Sequence, residues 1–449
     1  MKRATKLRSL ALQAWIAAVF FVYPIPHTIA LRNLLLVGGL LACAWSLRRA
    51  SAAAVRQASA ALRRNLHAGA LLAALTLWLV FQSTVLSPYP REALNLFAGD
   101  WLVALVVLCI GIAAAATARL DDARGAACLL RALVLALAAH VVLLLAYQGW
   151  RWLAEGVFPL GETPFAHRDY HSMLVTTLTA LLLADLIARR LKAADGLPLP
   201  AGAEIALLAL ACVATITLAT RNAVIVTLAL LALAVLALLT LRRRPGGRGP
   251  AQAALALLVL ACALAWGGLR SDVRWQGFIE TAVIALDTEG HQAWQDPRRH
   301  PWPQTAAGRP VEESAYLRIA WAKVALEQIT RYPLGLGYGH KAFGWAVNRS
   351  YGVRTGILSS HSGLLDFTLA NGIPGILLWL ALSGALCAAG WRAWRRENSA
   401  AGLALVFAVA SYLVRCLLDG HLADFRLEMY ALLVGALVTA LPGRSEACA

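Results

Sequence analysis

The chain has 449 residues, of which 60% are hydrophobic and 14% charged, and its mean hydropathy is +0.64. Its apolar runs are longer than a soluble core helix needs, since a helix takes roughly 20 apolar residues to cross a bilayer. The composition excludes a soluble globular protein and predicts a polytopic membrane protein, in which the net charge of +17 reflects topology rather than nucleic-acid binding.

The apolar runs are continuous rather than alternating, which indicates helices and not the strands of a barrel. The predicted spans are residues 10–29, 33–47, 68–87, 99–118, 127–149, 170–188, 202–219, 223–241, 251–269, 373–391, 400–418 and 428–442. The first run follows the basic segment MKRATKLR, but no small-residue cleavage site comes after it, so it is interpreted as a helix and not as a signal peptide. The predicted fold class is an all-α polytopic membrane protein with about 12 transmembrane helices.

Basic residues in the short connections predict the orientation, because loops that stay in the cytoplasm carry the excess of Lys and Arg. Such residues precede the first helix and concentrate in alternate short loops, namely SLRRASAAAVRQASAALRRN, ARLDDARG, ARRLKAADG, LRRRPGGRGP and WRAWRREN. The opposite short loops carry one or two basic residues each. Both termini are therefore predicted to be cytoplasmic, which agrees with an even number of helices.

One connection is far longer than the others: residues 270–372, between predicted helices 9 and 10 on the non-cytoplasmic side. We interpret it as a partly helical loop inserted in a single integral membrane domain, residues 1–449, and long loops in compact proteins are usually functional. Within it, VEESAYLRIAWAKVALEQITRYP predicts a helix that ends before Pro333. Its apolar positions Ile319, Ala322, Leu326 and Ile329 share one face, and we expect the helix to lie against the membrane domain or at the membrane interface. The stretch GLGYGHKAFGWAVNRSYG that follows matches no phosphate-loop pattern and is interpreted as an irregular loop packed at an interface.

The segment SSHSGLLDFTLANGIPG, residues 359–375, places His361 where an apolar run is about to begin. A serine N-cap before this residue and an Asn-Gly end before Pro374 predict a short helix with His361 in its first turn. The partial positive charge of a helix N-terminus disfavours an imidazolium, so the ring is expected to be neutral near pH 7 and able to accept a proton. A solvated or core histidine is the alternative interpretation.

Two arginines stand where a charge is costly. Arg221, in LATRNAVIV, lies between two apolar runs with no acidic residue nearby in sequence, and Arg318 lies on the predicted loop helix beside Trp321. Snorkelling to lipid headgroups is the alternative for Arg221, and a solvated charge is the alternative for Arg318. Taken together with His361, the two guanidinium groups suit binding of phosphate oxygens while a neutral imidazole takes a proton from an attacking hydroxyl.

Further residues of the outer side are weaker candidates for the same cavity. Arg168, in TPFAHRDYHS, is one, and Asp366 is another, although a solvated helix charge is the simpler interpretation of Asp366. The sequence contains no Asp-x-Asp, and the first outer loop, PIPHTIALRN, contains no acidic residue. A site without a metal is therefore expected.

Three segments in this order and topology resemble the O-antigen ligase family, whose superfamily also contains O-antigen polymerases and some protein O-oligosaccharyltransferases. They are TRNAVIVTLALL with Arg221, LRIAWAKVALEQITRYPLGLGYG with Arg318 and a Pro-Leu-Gly-x-Gly ending, and HSGLLDFTLANGIPG with His361. The helix count and the single large loop near the C-terminal third are also similar to that family.

The resemblance implies cofactor-free transfer of O-antigen polysaccharide from undecaprenyl pyrophosphate to a sugar hydroxyl of lipid A-core, at the periplasmic face of the inner membrane. It implies that His361 is the general base and that Arg221 and Arg318 hold the pyrophosphate. The motifs do not separate a ligase from a polymerase or a protein O-oligosaccharyltransferase. A twelve-helix transporter is the alternative from another class, but no similarity between two halves is apparent and the unusual charges lie at the outer boundary.

Overall fold

Helices make up nearly all of the regular structure. The computed structural model describes residues 2–48, 65–121, 124–191, 193, 195–240, 249–271, 277–296, 298–352, 356–420 and 422–442, and it is 78% helical with no sheet among these residues. The helices are α1 (Lys2–Val22), α2 (Ile29–Arg48), α3 (Leu66–Phe81), α4 (Pro90–Leu96), α5 (Val103–Asp121), α6 (Gly125–Glu155), α7 (Arg168–Arg190), α8 (Ala201–Thr217), α9 (Arg221–Thr240), α10 (Gly249–Ser271), α11 (Phe278–Leu286), α12 (Glu313–Arg331), α13 (Ala342–Tyr351), α14 (Gly363–Glu397), α15 (Ala400–Leu418) and α16 (Asp424–Ala440).

Eight helices of the described residues are long and apolar enough to cross a membrane. They are Leu66–Leu86, Pro90–Leu120, Gly125–Glu155, Arg168–Arg190, Arg221–Thr240, Gln252–Arg270, Gly363–Glu397 and Ala400–Leu418. Three shorter apolar helices, Leu7–Val22, Ile29–Trp45 and Ala201–Thr217, and α16 coincide with the other four predicted spans. The all-α membrane fold is thus confirmed, while the total of twelve crossings stays a prediction.

The first helix ends earlier than the apolar pattern predicts. The predicted span runs to residue 29, whereas α1 ends at Val22. Pro24 and Pro26 follow, and proline lacks a backbone donor and disfavours helical geometry in the residue before it. The Val22 carbonyl then accepts from the Ile25 N–H, at 3.0 Å, and from the Thr28 hydroxyl, at 3.2 Å.

Glycines set the closest helix contacts. A Cβ atom at Gly111 of α5 or at Gly435 of α16 would overlap the backbone of the facing helix. The same holds for Gly390 of α14 and Gly402 of α15, each of which faces the carbonyl oxygen of the other. Small residues let helix backbones approach closely where lipid supplies no hydrophobic drive between helices. These two pairs bring α5 close to α16 and α14 close to α15.

Residues 277–352 fold around a small core of their own. Trp294, Tyr316, Val324 and Phe343 are all fully buried, and they pack against Leu369 on α14. The predicted loop helix is confirmed as α12. Tyr316 and Val324 lie in that core and Ile319 and Ile329 pack against it, whereas Leu326 is exposed and lines a cavity. The stretch interpreted as an irregular loop needs correction, since its second half forms α13.

Helix α14 is interrupted at Gly372, where the backbone has φ 72° and ψ 177°. Pro374 has no N–H, so the carbonyl of Ala370 loses its helical donor and accepts from Gly337 instead, at 2.9 Å. In the same way Leu336 donates to the carbonyl of Leu369, at 2.9 Å. The Pro-Leu-Gly-x-Gly segment after α12 therefore supplies the hydrogen bonds that the interrupted helix lacks. This contact ties the extramembrane segment to α14 just beyond His361.

Candidate active site

His361 lies two residues before α14, not in its first turn as predicted. The helix begins at Gly363 with Ser362 as its N-cap, and His361 has a left-handed backbone with φ 61°. The hydrogen bonds of its neighbours fix this geometry, because Ser360 N–H donates to the Asp366 carboxylate at 2.8 Å and Gly363 N–H donates to the Asp419 carbonyl at 3.1 Å. A left-handed backbone is uncommon for a residue with a side chain and persists only where its surroundings impose it.

The imidazole is open to a cavity on one face and stacks on Trp321 of α12 with the other. The ring centroids are 5.3 Å apart and the planes differ by 13°. Loss of solvent around the ring lowers the pKa of His361 below its ordinary value of 6.5, and the Arg318 guanidinium lowers it further. The carboxylates of Asp419 and Asp169 act in the opposite direction. The ring is therefore neutral near pH 7, in agreement with the prediction, although the helix N-terminus is not among the causes.

Asp366 is not a solvated charge, so that interpretation is wrong. Its side chain is buried on the first turn of α14, and its carboxylate accepts the Ser360 N–H. It lines a second cavity behind the segment of His361 rather than the cavity to which the imidazole is open. Asp366 thus holds the backbone that presents His361.

Arg221 is the first residue of α9 and has an acidic partner that the sequence does not place nearby. Its Nη2 lies 2.9 Å from Oε2 of Glu312, the N-cap residue of α12, and both side chains are largely buried. The guanidinium also stands over the ring of Phe278, 5.9 Å from its centroid. The ion pair joins the membrane helix α9 to the extramembrane helix α12.

Arg318 reaches from α12 toward two membrane helices. Its Nη1 donates to the Asn222 side-chain oxygen on α9 and to the Leu418 carbonyl at the end of α15, both at 3.4 Å. The Asn222 amide in turn donates to Asp419, at 3.5 Å. All three distances are long for hydrogen bonds, so these contacts orient the guanidinium while leaving it able to bind an anion.

One cavity of about 790 Å³ brings four predicted residues together: His361, Arg221, Arg318 and Arg168. We refer to it as the basic cavity, because Lys323 adds a fourth cation while Asp169 and Glu327 are the acids in its lining. Its other walls are apolar and are formed by Ile225, Phe278, Leu286, Ile319, Ala322 and Leu326. Ile319, Ala322 and Leu326 of the predicted α12 face thus line this space together with residues of the membrane helices, whereas Ile329 does not.

Sequence reasoning missed Glu312, Trp321 and Asn222 as parts of this site. Asn222 follows Arg221 directly, and its polarity inside an apolar run was the available signal. Glu312 lies 91 positions from Arg221, as the residue numbers show, and only the folded chain reveals the pairing. Within the described residues no three His, Cys, Asp or Glu side chains are arranged so that they could hold a metal ion.

One comparison with known proteins gives a match that covers most of this site. The family model described as O-Antigen ligase matches residues 206–380. Comparison with curated proteins gives no match. The matched residues include Arg221, Arg318 and His361, and they exclude Arg168.

Proposed function

We propose that the chain, whose residues 206–380 match the O-antigen ligase family model, ligates O-antigen polysaccharide to lipid A-core in lipopolysaccharide biosynthesis. The donor is the polysaccharide on undecaprenyl pyrophosphate, and the acceptor is a sugar hydroxyl of lipid A-core. The protein lies in the bacterial inner membrane with both termini in the cytoplasm, and residues 270–372 and the basic cavity face the periplasm. No cofactor and no nucleic acid take part.

The observation that carries this proposal is the mixed lining of the basic cavity. It combines three arginines with aliphatic and aromatic side chains such as Ile319, Leu326 and Phe278. A lipid diphosphate likewise combines a charged head with an apolar tail. Guanidinium groups match phosphate oxygens in pairs of hydrogen bonds, and apolar walls stabilise the first isoprene units.

In the proposed reaction the acceptor hydroxyl oxygen attacks the anomeric carbon of the donor sugar. A new glycosidic C–O bond forms as the bond between that carbon and the diphosphate oxygen breaks, and the diphosphate leaves with the electron pair. His361 takes the hydroxyl proton as general base, while Arg221 and Arg318 balance the negative charge that develops on the leaving group. The arginines supply the charge that a divalent ion would otherwise supply, so the reaction is metal-independent.

The surroundings of His361 support its role as the base. The neutral ring near pH 7 can accept a proton, and the Asp419 and Asp169 carboxylates favour the imidazolium that results. Trp321 stacks against the ring, and an aromatic face attracts a cation. The pocket therefore suits both the neutral and the protonated form of the base.

Transfer by the purified full-length protein tests the proposal. Lipid-linked polysaccharide and lipid A-core are supplied together, and the expected result is a covalent product that carries both glycans. An O-antigen polymerase of the same superfamily would extend lipid-linked glycan and leave lipid A-core unchanged. Absence of any glycosidic product with active donor and acceptor preparations would contradict an enzymatic function.

A further inference from the structure

A second cavity, of about 330 Å³, lies beside the segment of His361, and the proposed reaction assigns no substrate to it. We refer to it as the acidic cavity, because its lining includes the carboxylates of Asp100, Asp366 and Asp424. Ser360, His361 and Ser362 line the basic cavity, whereas Ser359 and Gly363 line the acidic one. The two cavities thus meet at the same short stretch of chain.

Three residues that line the acidic cavity have buried polar atoms without hydrogen-bond partners among the described residues. Tyr338 is 2% exposed and Asn371 is 0% exposed, and within the described residues neither the Tyr338 hydroxyl nor Oδ1 of Asn371 has a hydrogen-bond partner. One carboxylate oxygen of Asp100 is also buried and without a hydrogen-bond partner there. Unsatisfied buried polar groups destabilise a fold, so their presence along one cavity indicates a ligand that satisfies them.

The backbone around Tyr338 is built to hold the side chain at this place. Gly337 and Gly339 have φ of 124° and 136°, and a Cβ atom on either residue would overlap α4 or the turn before it. The ring packs edge-on against Phe97, with centroids 5.8 Å apart. Burial raises the pKa of the Tyr338 hydroxyl well above its ordinary value, and Asp100 and Asp424 raise it further. The phenol therefore stays protonated and can donate a hydrogen bond.

The character of the lining selects the class of ligand. Its three carboxylates outnumber its one guanidinium, that of Arg426, which is paired with Asp424 at 2.9 Å, and the lining also includes His340. A phosphate or another anion therefore suits the basic cavity better. The described residues form no group of three possible metal ligands here. A combination of carboxylate and amide acceptors, a phenol donor and the aromatic side chain of Phe367 matches instead a neutral, polyhydroxylated ring, whose hydroxyls both donate and accept.

We propose that the acidic cavity is the acceptor subsite, where uncharged sugar rings of the acceptor glycan bind next to His361. This inference rests on the proposed ligase function, and it assigns Tyr338, Asn371 and Asp100 as the residues that bind the acceptor. The proposed single-step displacement needs the nucleophile and the leaving group on opposite faces of the donor sugar. Separate cavities for acceptor sugar and donor diphosphate meet that requirement.

Tyr338→Phe tests the assignment, because it removes only the hydroxyl that lacks a partner among the described residues. We expect the KM for lipid A-core to rise about five- to tenfold, the effect of one lost hydrogen bond. The KM for the lipid-linked donor and the melting temperature are expected to be unchanged. Tyr316→Phe is the matched control: that buried hydroxyl donates to the His291 carbonyl at 2.8 Å and lines neither cavity. An unchanged acceptor KM in Tyr338→Phe, or a rise in the donor KM alone, overturns the proposal.

A binding measurement separates this inference from the proposed function. The probe is a lipopolysaccharide core oligosaccharide without lipid A, added to the full-length protein in detergent and followed by saturation-transfer NMR. We expect binding to the native protein, about tenfold weaker binding to Asp100→Asn and Tyr338→Phe, and native binding to Tyr316→Phe. Binding with this pattern but without glycan transfer would support the sugar site and contradict the ligase. Transfer with an oligosaccharide affinity that neither variant changes would support the ligase and overturn the sugar site.

Discussion

His361 has an unusual backbone conformation as well as a proposed chemical role, and substitutions can test the effect of each separately. We expect His361→Ala to lower glycan transfer by about 10²–10⁴-fold, the usual contribution of a general base, with a normal protein level. The rate of transfer by purified protein is the measurement. His27→Ala is the matched control, because His27 has the same φ of 61°, is exposed and lines neither cavity. Full activity of His361→Ala would remove the proposed base.

The pH dependence of transfer follows from the charges around the imidazole. A base must be neutral to act, so activity is retained above the pKa of His361 and is lost as the pH falls through it. Because that pKa is lowered from 6.5, the acid limb of the rate profile is expected below pH 6.5. Arg318→Gln removes one of the causes that lower the pKa, so the limb should move to higher pH.

The position of this limb is read from kcat/KM measured between pH 4 and pH 8. It is independent of the slower maximal rate that Arg318→Gln causes through weaker diphosphate binding. Asp419→Asn is the opposite control, since Asp419 raises the pKa of His361 and its loss should move the limb to lower pH. If the acid limb lies at the same pH in the native protein, Arg318→Gln and Asp419→Asn, then a group other than His361 titrates.

At the scale of elements, the interruption of α14 makes a prediction about stability. A side chain at Gly372 is strained at φ 72°, and its Cβ atom would lie 2.5 Å from the Leu334 backbone. We expect Gly372→Ala to destabilise the protein by at least about 1–3 kcal/mol and to lower transfer, because the segment before α13 would shift. Thermal unfolding in detergent gives the measurement.

Gly384→Ala is the matched control in the same helix. Gly384 is exposed and has regular helical geometry, and a Cβ atom added to it would meet no other atom within 4 Å. Alanine there should be neutral or stabilise by up to about 1 kcal/mol, since glycine is a poor helix former. If both variants have equal melting temperatures, the interruption of α14 does not depend on glycine.

The sequence predicts well those elements in which composition and local signals agree. Long apolar runs indicate the membrane helices, and the ending before Pro333 indicates α12. The predicted face of α12 is divided between two environments that apolar spacing does not distinguish: Ala322 and Leu326 line a cavity, and Ile329 packs against a core. The start of α14 was misplaced by a few residues because several serines can cap a helix, and the bond from Ser360 to Asp366 decides the outcome.

At the scale of the molecule, the helix ends fall into two groups. Asp195 accepts a hydrogen bond from Ser399 at 2.7 Å, and Arg119 donates to the Thr439 carbonyl at 2.7 Å. All four residues lie at ends that the basic loops predict to be cytoplasmic. The functional candidates lie at the other ends of their helices, which is consistent with a single site on the opposite side. Only the basic loops indicate which group of helix ends faces the cytoplasm, so the orientation of the protein in the membrane stays a prediction.

Labelling of single cysteines tests that orientation. Ala307→Cys, exposed in the segment before α12, should react with a membrane-impermeant maleimide in intact cells with a permeabilised outer membrane. Ala201→Cys, exposed at the predicted cytoplasmic end of α8, should react only after the inner membrane is opened. The native protein measures labelling of its own cysteines. The reverse pattern would contradict a periplasmic cavity.

The ion pair between Arg221 and Glu312 has a consequence for turnover. An arginine that already holds a carboxylate gains less from binding a diphosphate than one that is free, because the resident anion must first be displaced. The same carboxylate competes with the spent carrier lipid after transfer and favours its departure. We therefore expect Glu312 to reduce product inhibition. The donor would bind more weakly than it would without Glu312, and the spent carrier lipid would leave faster.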